Sequence, residues 1–244
     1  MRAALVTGAA RGLGLAIARG LGQAGVRVAV TDVDAAGAEA AARSLRGEGL
    51  DTLALALDVR DEADFQRAFD AAAARFGGID ILVNNAAVTP HCSVWDIGTA
   101  EWDEVMAVNL RGAFFGCRIA ARHMRERRWG RILNLSSLAG QQASAVTGAH
   151  YAASKAGLLA LTRSFAQELA PHGVTVNAIS PAAIHGPSLD AIDEGSRRAF
   201  LATLPVGRFG EETEVAAAAV YLASEAAGFV TGTTLDLNGG KLMR

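Results

Sequence analysis

The chain has 244 residues, of which 51% are hydrophobic and 20% charged, and its formal net charge at pH 7 is −2. This composition is typical of a globular protein with enough apolar material for a full core. A near-neutral chain with scattered basic residues has no field that would concentrate a nucleic acid or an anionic membrane, so we expect neither partner.

The start of the chain and its two cysteines exclude further classes. Met1 to Gly8 lead straight into a strand and a Gly-rich turn, without the apolar region of a secretory signal. No uncharged apolar stretch reaches the roughly 18 residues of a membrane span, so we expect a cytoplasmic protein. Cys92 and Cys117 are too few for a disulfide framework and have no histidine at metal-ligand spacing, so no metal site is predicted.

Short β-branched runs alternate with helical patterns along the whole chain. The predicted strands are Ala3–Thr7, Arg27–Thr31, Thr52–Leu57, Ile79–Val83, Arg131–Leu135, Thr175–Ile179 and Thr233–Leu237. The main predicted helices are Leu13–Gln23, Asp61–Phe76, Glu101–Arg127 and His150–Ala170. Strands that are apolar along their whole length are covered on both faces, which predicts a doubly wound parallel α/β sheet of the Rossmann type with about seven strands. Because no linker interrupts the pattern, residues 1–244 are predicted to form one domain.

One stretch departs from this alternation. Between Pro181 and Pro205 there is no predicted strand, and Asp190–Leu204 is compatible with a short charged helix. A connection of this length in an α/β domain is typical of a lid or binding loop near the carboxyl ends of the strands. We therefore predict a substrate lid around residues 185–205.

A Gly-rich turn follows the first strand and opens a helix. Its sequence, Thr7-Gly8-Ala9-Ala10-Arg11-Gly12-Leu13-Gly14, allows backbone N–H groups and a helix N-terminus to approach a diphosphate. An ordinary tight turn would also explain the glycines, but Asp32 ends the second strand, where a carboxylate accepts hydrogen bonds from the adenosine ribose. The alternative role of Asp32 is to cap the helix before Ala35. The glycine spacing excludes a P-loop.

Tyr151 and Lys155 stand four residues apart in a predicted helix, so they share one face. Ser136 and Ser137 end the strand before that helix and present a hydroxyl at the same edge of the sheet. Interconversion of an alcohol and a carbonyl requires a base at the hydroxyl, and a free tyrosine with a pKa of about 10 is a poor base at neutral pH. An ammonium one turn away and a positively charged nicotinamide both favour the phenolate, so we expect a lowered pKa at Tyr151.

These motifs, with several others in order, resemble the short-chain dehydrogenase/reductase family over nearly the whole chain. The matching segments are Thr7-Gly8-x3-Gly12-x-Gly14, Asp58-Val59, Asn84-Asn85-Ala86, Asn109, Ser137, Tyr151-x3-Lys155, Asn177-Ala178-Ile179-Ser180-Pro181 and Asp236-Leu237-Asn238-Gly239-Gly240. The branch of 3-oxoacyl-acyl-carrier-protein reductases is the part of the family that the chain resembles. The resemblance implies a nicotinamide dinucleotide held by Gly8, Arg11, Gly12, Leu13, Gly14, Asp32, Asp58, Val59, Asn84, Ala86, Tyr151, Lys155, Pro181 and Ile184.

The resemblance also implies individual roles. Asp58 and Val59 would hold the adenine, and Asn84 and Ala86 would line the cofactor groove. The backbone of Ile184 would meet the carboxamide.

Four residues would form the catalytic set, namely Asn109, Ser137, Tyr151 and Lys155. Asn109 would kink its helix and hold a proton-relay water that leads to Lys155. Ser137 would polarise the carbonyl, Tyr151 would act as acid/base, and Lys155 would also bind the nicotinamide ribose.

Departures from the family pattern lie at the cofactor and substrate ends. Ala87 and Ala182 each replace a common glycine, and Gly186 replaces a common threonine, which is expected to loosen the nicotinamide end. Ser137 precedes Tyr151 by 14 residues, one more than usual, which indicates an insertion in the loop 140–149 on the substrate side.

Three functions remain open at this stage. The leading one is an NAD-dependent dehydrogenase of a small secondary alcohol or ketone, because a 2′-phosphate would be repelled by Asp32, although Arg11 leaves NADP open. The second is an NADPH-dependent reductase of 3-oxoacyl thioesters, for which Arg128 fits one carrier-binding position while His172 replaces an arginine at the other. The third is a nucleotide-sensing protein without turnover. The resemblance further implies a homotetramer. In the predicted fold His91, His150 and His185 could converge near the substrate, where they would at most shape its choice, because a satisfied or solvated histidine is a more common role than a metal ligand.

Overall fold

The computed structural model describes residues 1–144, 147–186, 189 and 193–243. Within these residues seven strands form the centre, namely β1 (Ala3–Thr7), β2 (Arg27–Asp32), β3 (Thr52–Ala56), β4 (Ile81–Asn84), β5 (Gly130–Leu135), β6 (Val174–Pro181) and β7 (Thr234–Leu237). They make one parallel sheet in the order β3-β2-β1-β4-β5-β6-β7. The predicted doubly wound α/β class is confirmed.

Helices cover both faces of the sheet. They are α1 (Gly12–Gln23), α2 (Ala35–Gly47), α3 (Glu62–Phe76), α4 (Thr99–Met106), α5 (Gly112–Arg127), α6 (Ala149–Leu169), α7 (Glu194–Leu201) and α8 (Glu212–Ala223). No helix in the described ranges is long and apolar enough to cross a membrane.

The sheet separates two hydrophobic cores. Along β1, Leu5 faces one core and Val6 the other, because successive side chains of a strand point to opposite faces. The first core is filled by α3, α5 and α6 and includes Phe65, and the second is filled by α1, α2 and α8 and includes Ile17. Full burial of a side chain of this size contributes about 1.5–3 kcal/mol. The continuous apolar runs in the strands follow from this double burial.

The long predicted helix Glu101–Arg127 is interrupted in the structure. A π turn, Ala107–Arg111, separates α4 from α5, and the N–H of Gly112 donates to the carbonyl of Ala107, five residues back. Such insertions into a helix are frequent at functional sites. This one contains Asn109, the position at which the resemblance implies a kink.

The lid segment is helical in part. The predicted helix Asp190–Leu204 is represented by α7, and residues 190–192 lie outside the described residues. Strand β6 continues to Pro181, two residues past its predicted end, because it pairs with β7 as far as Leu237.

The strand order reverses between β1 and β4. The strands that follow β1 are added on one side of it, and the strands that follow β4 are added on the other side of the sheet. In open α/β sheets the crevice at this reversal, outside the carboxyl ends of the strands, is where ligands bind. Thr7 and Asn84 end the two strands, so the residues that follow them form the walls of the crevice.

Candidate active site

The Gly-rich turn folds tightly against the chain that follows β4. Gly8 has a φ of +63°, and a Cβ at this residue would lie 2.8 Å from the Cα of Ala86. A Cβ on Gly14 would lie 2.2 Å from the carbonyl oxygen of Gly8. Both separations are too short for a side chain, so these glycines permit the close approach.

Thr7 and Asn85 hold the turn in place. The Thr7 hydroxyl oxygen accepts hydrogen bonds from the backbone N–H groups of Asn85 and Ala86, each at 3.0 Å. The Asn85 side-chain amide donates to the carbonyl oxygens of Thr7 and Gly8, each at 2.9 Å. Neither Thr7 nor Asn85 is among the predicted site residues. Their sequence signal is their position at the ends of two strands that are neighbours in the sheet.

The N-terminus of α1 fits a diphosphate. Helices α2 and α3 are capped by the side chains of Asp34 and Asp61, which accept N–H groups of the first turn. Helix α1, which begins with Gly12, Leu13 and Gly14, has no side-chain cap and no acidic residue in its first turn. Its N–H groups and the positive end of its dipole therefore remain available to an anion such as the diphosphate of a dinucleotide.

Asp32 is positioned for a ribose. Its Oδ2 accepts from the N–H of Ala10 and its Oδ1 from the N–H of Asp34, both at 3.1 Å. A carboxylate has about four lone-pair positions, so two remain for ribose hydroxyls. Because Asp34 caps α2, the alternative role of Asp32 as that cap does not apply. Arg11 is exposed in the same turn, and its guanidinium has no hydrogen-bond or ion-pair partner among the described residues.

The residues predicted at the adenine follow β3. The carboxylate of Asp58 accepts from Nη2 of Arg60 at 2.6 Å, and this contact holds the pKa of Asp58 below its usual value. Val59 is buried, and its side chain lies 2.9 Å from the position of a Cβ on Gly112 of α5. Contact of Asp58 and Val59 with the adenine stays a prediction.

The side chains of Asn84 and Ala86, at the end of β4, face different parts of the molecule. Asn84 is 5% exposed, and its side-chain nitrogen donates to Oδ1 of Asn134 at 2.8 Å on the neighbouring strand. Its side chain therefore faces the core, where its oxygen has no hydrogen-bond partner among the described residues. Ala86 is partly exposed beside Gly8, so in this pair it is the side chain of Ala86 that faces the groove.

Three hydroxyl groups meet at the start of α6. The phenol of Tyr151 lies beside the hydroxyls of Ser137, just after β5, and Thr89, in the loop after β4, and both hydroxyls act to lower its pKa. Ser136 is instead buried and donates to the backbone carbonyl of Lys155 at 2.8 Å. Ser137 is therefore the serine that faces Tyr151. Thr89 is not among the predicted residues, and no sequence signal marks it.

The pKa of Tyr151 shifts in the direction opposite to the expected one. Burial raises it, and the neighbouring hydroxyls of Ser137 and Thr89 oppose that effect only in part. Nζ of Lys155 donates to the carbonyl of Leu135 at 2.6 Å and lies 5.6 Å from the centre of the Tyr151 ring, and burial lowers the pKa of Lys155 to about 8. The lowered pKa expected at Tyr151 is wrong for the chain's own residues, because the loss of water outweighs the effect of the Ser137 and Thr89 hydroxyls.

Asn109 braces the loop that carries Thr89. Its Oδ1 accepts from the N–H of Val88 and its Nδ2 donates to the carbonyl of the same residue, both at 2.9 Å. The same nitrogen donates to the hydroxyl of Ser154 on α6 at 3.1 Å. The Asn109 side chain thus connects the Thr89 loop to the helix of Tyr151, while its role in a proton relay stays a prediction.

The backbone of Ile184 makes no hydrogen bond within the part of the chain that the structure describes, which leaves it available for the predicted carboxamide contact. Ile184 forms an isolated bridge with Gly210, in which Gly210 donates to Ala183 and accepts from His185. The N–H and C=O of Ile184 itself therefore point away from Gly210. Pro181, also predicted at the cofactor, is buried at the end of β6.

At Gly186, where the family commonly has threonine, a carboxylate fills the space. A Cβ on Gly186 would lie 2.7 Å from Oε1 of Glu212. The same oxygen lies 3.8 Å from the position of a Cβ on Gly12. Burial raises the pKa of Glu212. Glu212, like Thr7, Asn85 and Thr89, was not predicted from the sequence, because it lies far along the chain at the start of α8.

The histidines expected near the substrate contact different partners. His185 lies 3.7 Å from a carboxylate oxygen of Glu211, and His150 is buried with its Nε2 2.9 Å from Oε1 of Glu101. Cys92 also bonds to Glu101, so Cys92, Glu101 and His150 form a cluster that no sequence spacing indicates.

The fold and this arrangement of side chains define a nicotinamide-dependent oxidoreductase with its crevice between β1 and β4. A family model described as enoyl-(acyl carrier protein) reductase matches residues 8–241. A 3-oxoacyl-[acyl-carrier-protein] reductase of Staphylococcus aureus is 37% identical over 99% of this chain and 98% of its own length. The chain belongs to the short-chain dehydrogenase/reductase family, in the branch that resembles 3-oxoacyl-acyl-carrier-protein reductases.

Solved structures agree with this assignment. The crystal structure of a putative short-chain alcohol dehydrogenase from Sinorhizobium meliloti superposes with a TM-score of 0.93 at 40% identity, covering 98% of this chain and 96% of that one. That of a 3-oxoacyl-[acyl-carrier protein] reductase from Brucella melitensis gives a TM-score of 0.94 at 35% identity, covering 100% and 92%.

Proposed function

We propose that this protein transfers a hydride between a nicotinamide dinucleotide and a secondary alcohol or ketone, with Tyr151 as the acid/base. The observation that carries the proposal is the meeting of the Tyr151, Ser137 and Thr89 hydroxyls next to buried Lys155. The nicotinamide, when bound, supplies or accepts the hydride.

Tyr151 and Ser137 act on the substrate oxygen. In carbonyl reduction Tyr151 donates its phenolic proton to that oxygen while Ser137 holds it by a hydrogen bond. The raised pKa keeps the phenol protonated at neutral pH, which is the state that an acid requires. In alcohol oxidation Tyr151 must first lose its proton, and Lys155, which is charged below about pH 8, stabilises the phenolate.

Asn109 positions the groups around the Tyr151 phenol. By fixing Val88 it holds Thr89 at the phenol, and by bonding to Ser154 it holds the same loop against α6. A water held at Asn109 would carry the proton between Lys155 and solvent, as the family resemblance implies.

The lid excludes water from the substrate end. Leu189, Leu204 and Phe209 form a small apolar cluster, against which Phe200 and Leu201 pack. Helix α7 carries both Phe200 and Leu201, and none of its residues is fully buried. A helix without a fully buried residue opens at low cost, which suits substrate entry.

We further propose NAD as the preferred cofactor. The Asp32 carboxylate has lone pairs left for the ribose hydroxyls and would repel a 2′-phosphate at contact distance. Arg11 is the opposing feature, because its exposed guanidinium has no partner among the described residues and lies in the same turn.

Reduction of 3-oxoacyl thioesters with NADPH is the second candidate, and the names of the Staphylococcus and Brucella relatives favour it. Arg128 precedes β5 and donates to the carbonyl of Pro171, so the two carrier positions Arg128 and His172 are close together. Both lie at the amino edge of the parallel sheet, whereas Tyr151 lies at the carboxyl edge. A carrier bound there would face away from the same chain's Tyr151.

A substrate panel tests these candidates. Small secondary alcohols with NAD, and ketones and 3-oxoacyl thioesters with NADH and NADPH, are compared by the appearance or loss of reduced nicotinamide. We expect the largest kcat/KM with NAD or NADH and a free alcohol or ketone. A preference for NADPH with a 3-oxoacyl thioester would replace the leading candidate by the second.

We propose that the protein is a homotetramer. A groove of about 850 Å³ lies between α4, α5 and α6, with the apolar side chains of Leu110, Phe114 and Leu161 in its lining. A second surface lies at the sheet edge formed by β7, and Phe229, five residues before this strand, is fully exposed. Two such surfaces related by two-fold axes give a closed assembly of four chains.

Light scattering at micromolar concentration should therefore give four times the 25.2 kDa of one chain. A mass near 25.2 kDa would contradict self-association through either surface.

A further inference from the structure

A second group of reactive side chains lies one residue from Tyr151. Sγ of Cys92 is 3.2 Å from Oε1 of Glu101, and Nε2 of His150 is 2.9 Å from the same oxygen. The three atoms all lie within 4.8 Å of one another. They come from the loop after β4, the first turn of α4 and the first turn of α6, so the tertiary fold brings them together.

A thiol, a carboxylate and an imidazole are ligands that zinc takes in proteins. Ligand atoms at normal zinc distances around one tetrahedral ion lie about 3.2–3.8 Å apart. The separations among Cys92, Glu101 and His150 are close to that range, so small side-chain movements complete the geometry. The sulfur and nitrogen donors disfavour Mg²⁺ and Ca²⁺, which require oxygen ligands.

We propose that Cys92, Glu101 and His150 bind a zinc ion, with water in the fourth position. This site is distinct from the hydroxyl groups of Tyr151, Ser137 and Thr89, and it does not depend on the proposed substrate or cofactor.

Gly148 provides independent support, because it leaves room for the ligands. A Cβ at Gly148 would lie 2.3 Å from Cε1 of His150 and 3.3 Å from Sγ of Cys92. His150 is 0% exposed and fixed at the start of α6, whereas the Glu101 side chain is 40% exposed. The imidazole is therefore preorganised, and the carboxylate gives an ion a path from solvent.

Binding releases a proton. Zinc takes cysteine as the thiolate, so the Cys92 thiol loses its proton to solvent as the sulfur–zinc bond forms. Affinity should accordingly increase as the pH rises.

Cobalt(II) is the probe for the thiolate ligand. After treatment with a chelator, the purified protein is titrated with Co²⁺ and followed by the sulfur-to-cobalt absorption band, and Zn²⁺ affinity is measured by calorimetry. We expect one metal per chain, a sulfur band, and displacement of Co²⁺ by Zn²⁺.

Two variants and one control assign the ligands. Cys92→Ser should abolish the sulfur band and weaken Zn²⁺ binding by at least about tenfold, and Glu101→Gln should weaken it similarly. The control is Cys117→Ala, which removes the other, buried cysteine and should leave the band intact. Dinucleotide binding shows that each variant is folded, so the buried His150 need not be changed. Absence of a sulfur band in the native protein, or its persistence in Cys92→Ser, would overturn the proposal.

Discussion

Replacement of Tyr151 by phenylalanine should lower kcat by at least about 10²–10⁴-fold while the dinucleotide remains bound. The substitution keeps the ring and removes the hydroxyl that lies beside Ser137 and Thr89. The measurement is steady-state turnover beside a dinucleotide Kd from fluorescence. Unchanged affinity with lost turnover would separate a chemical role from a structural one.

The chain provides a matched control, because its second tyrosine is Tyr221 on α8. Tyr221 is 47% exposed and far along the chain from the catalytic hydroxyls, so Tyr221→Phe should keep native turnover. A near-native kcat in Tyr151→Phe would contradict the proposed acid/base role of Tyr151. Absence of turnover in the native protein, with the dinucleotide bound, would instead favour the nucleotide sensor.

The two reaction directions should respond oppositely to pH. Because the pKa of Tyr151 is raised, the neutral phenol dominates at neutral pH, and reduction loses rate only when the pH rises through that pKa. Oxidation needs the phenolate and should gain rate over the same rise.

Replacement of Asp32 by serine should shift the ratio of kcat/KM for NAD over NADP by roughly 10²-fold toward NADP. A like-charge contact in a partly desolvated groove costs on the order of a few kcal/mol, and serine removes it. Arg11 would then be free to pair with the 2′-phosphate. Native preference for NADP, or no shift in the variant, would move the assignment to the thioester reductase.

The variant Asp34→Ser distinguishes an effect of direct contact between Asp32 and the cofactor from an effect of the negative charge of the whole segment. Asp34 is exposed and caps α2 by accepting from the N–H of Gly37, a role that serine also performs well. If Asp32 acts by contact, Asp34→Ser should leave the cofactor ratio nearly unchanged. Equal shifts in both variants would mean that the negative charge of the whole segment sets the preference.

The sequence was sufficient for the sheet because its signals are local. Strands buried on both faces must be apolar throughout, and the turn at Gly8 and Gly14 requires glycine on steric grounds. The proximity of Tyr151 and Lys155 is also a local signal, because four residues correspond to about one helical turn.

The rest depends on contacts between distant segments. Thr89 and Glu212 enter the site from loops and helices whose approach no periodicity encodes, and Cys92 meets His150 only in the folded chain. The direction of the Tyr151 pKa was missed for a related reason. A four-residue spacing gives the proximity of Lys155, but the extent of burial is a property of the whole fold.

The Thr7–Asn85 contacts have a consequence for motion. Opening the crevice between β1 and β4 would break four hydrogen bonds together, which costs about 2–6 kcal/mol at typical net values. The open form would then be populated on the order of 10⁻² to 10⁻⁴. Amide hydrogens of Asn85 and Ala86 should consequently exchange with solvent deuterium nearly as slowly as those of the sheet, while those of α7 exchange fast. The Gly-rich turn and the chain after β4 are therefore expected to be nearly as rigid as the sheet, and α7 is expected to be the mobile element.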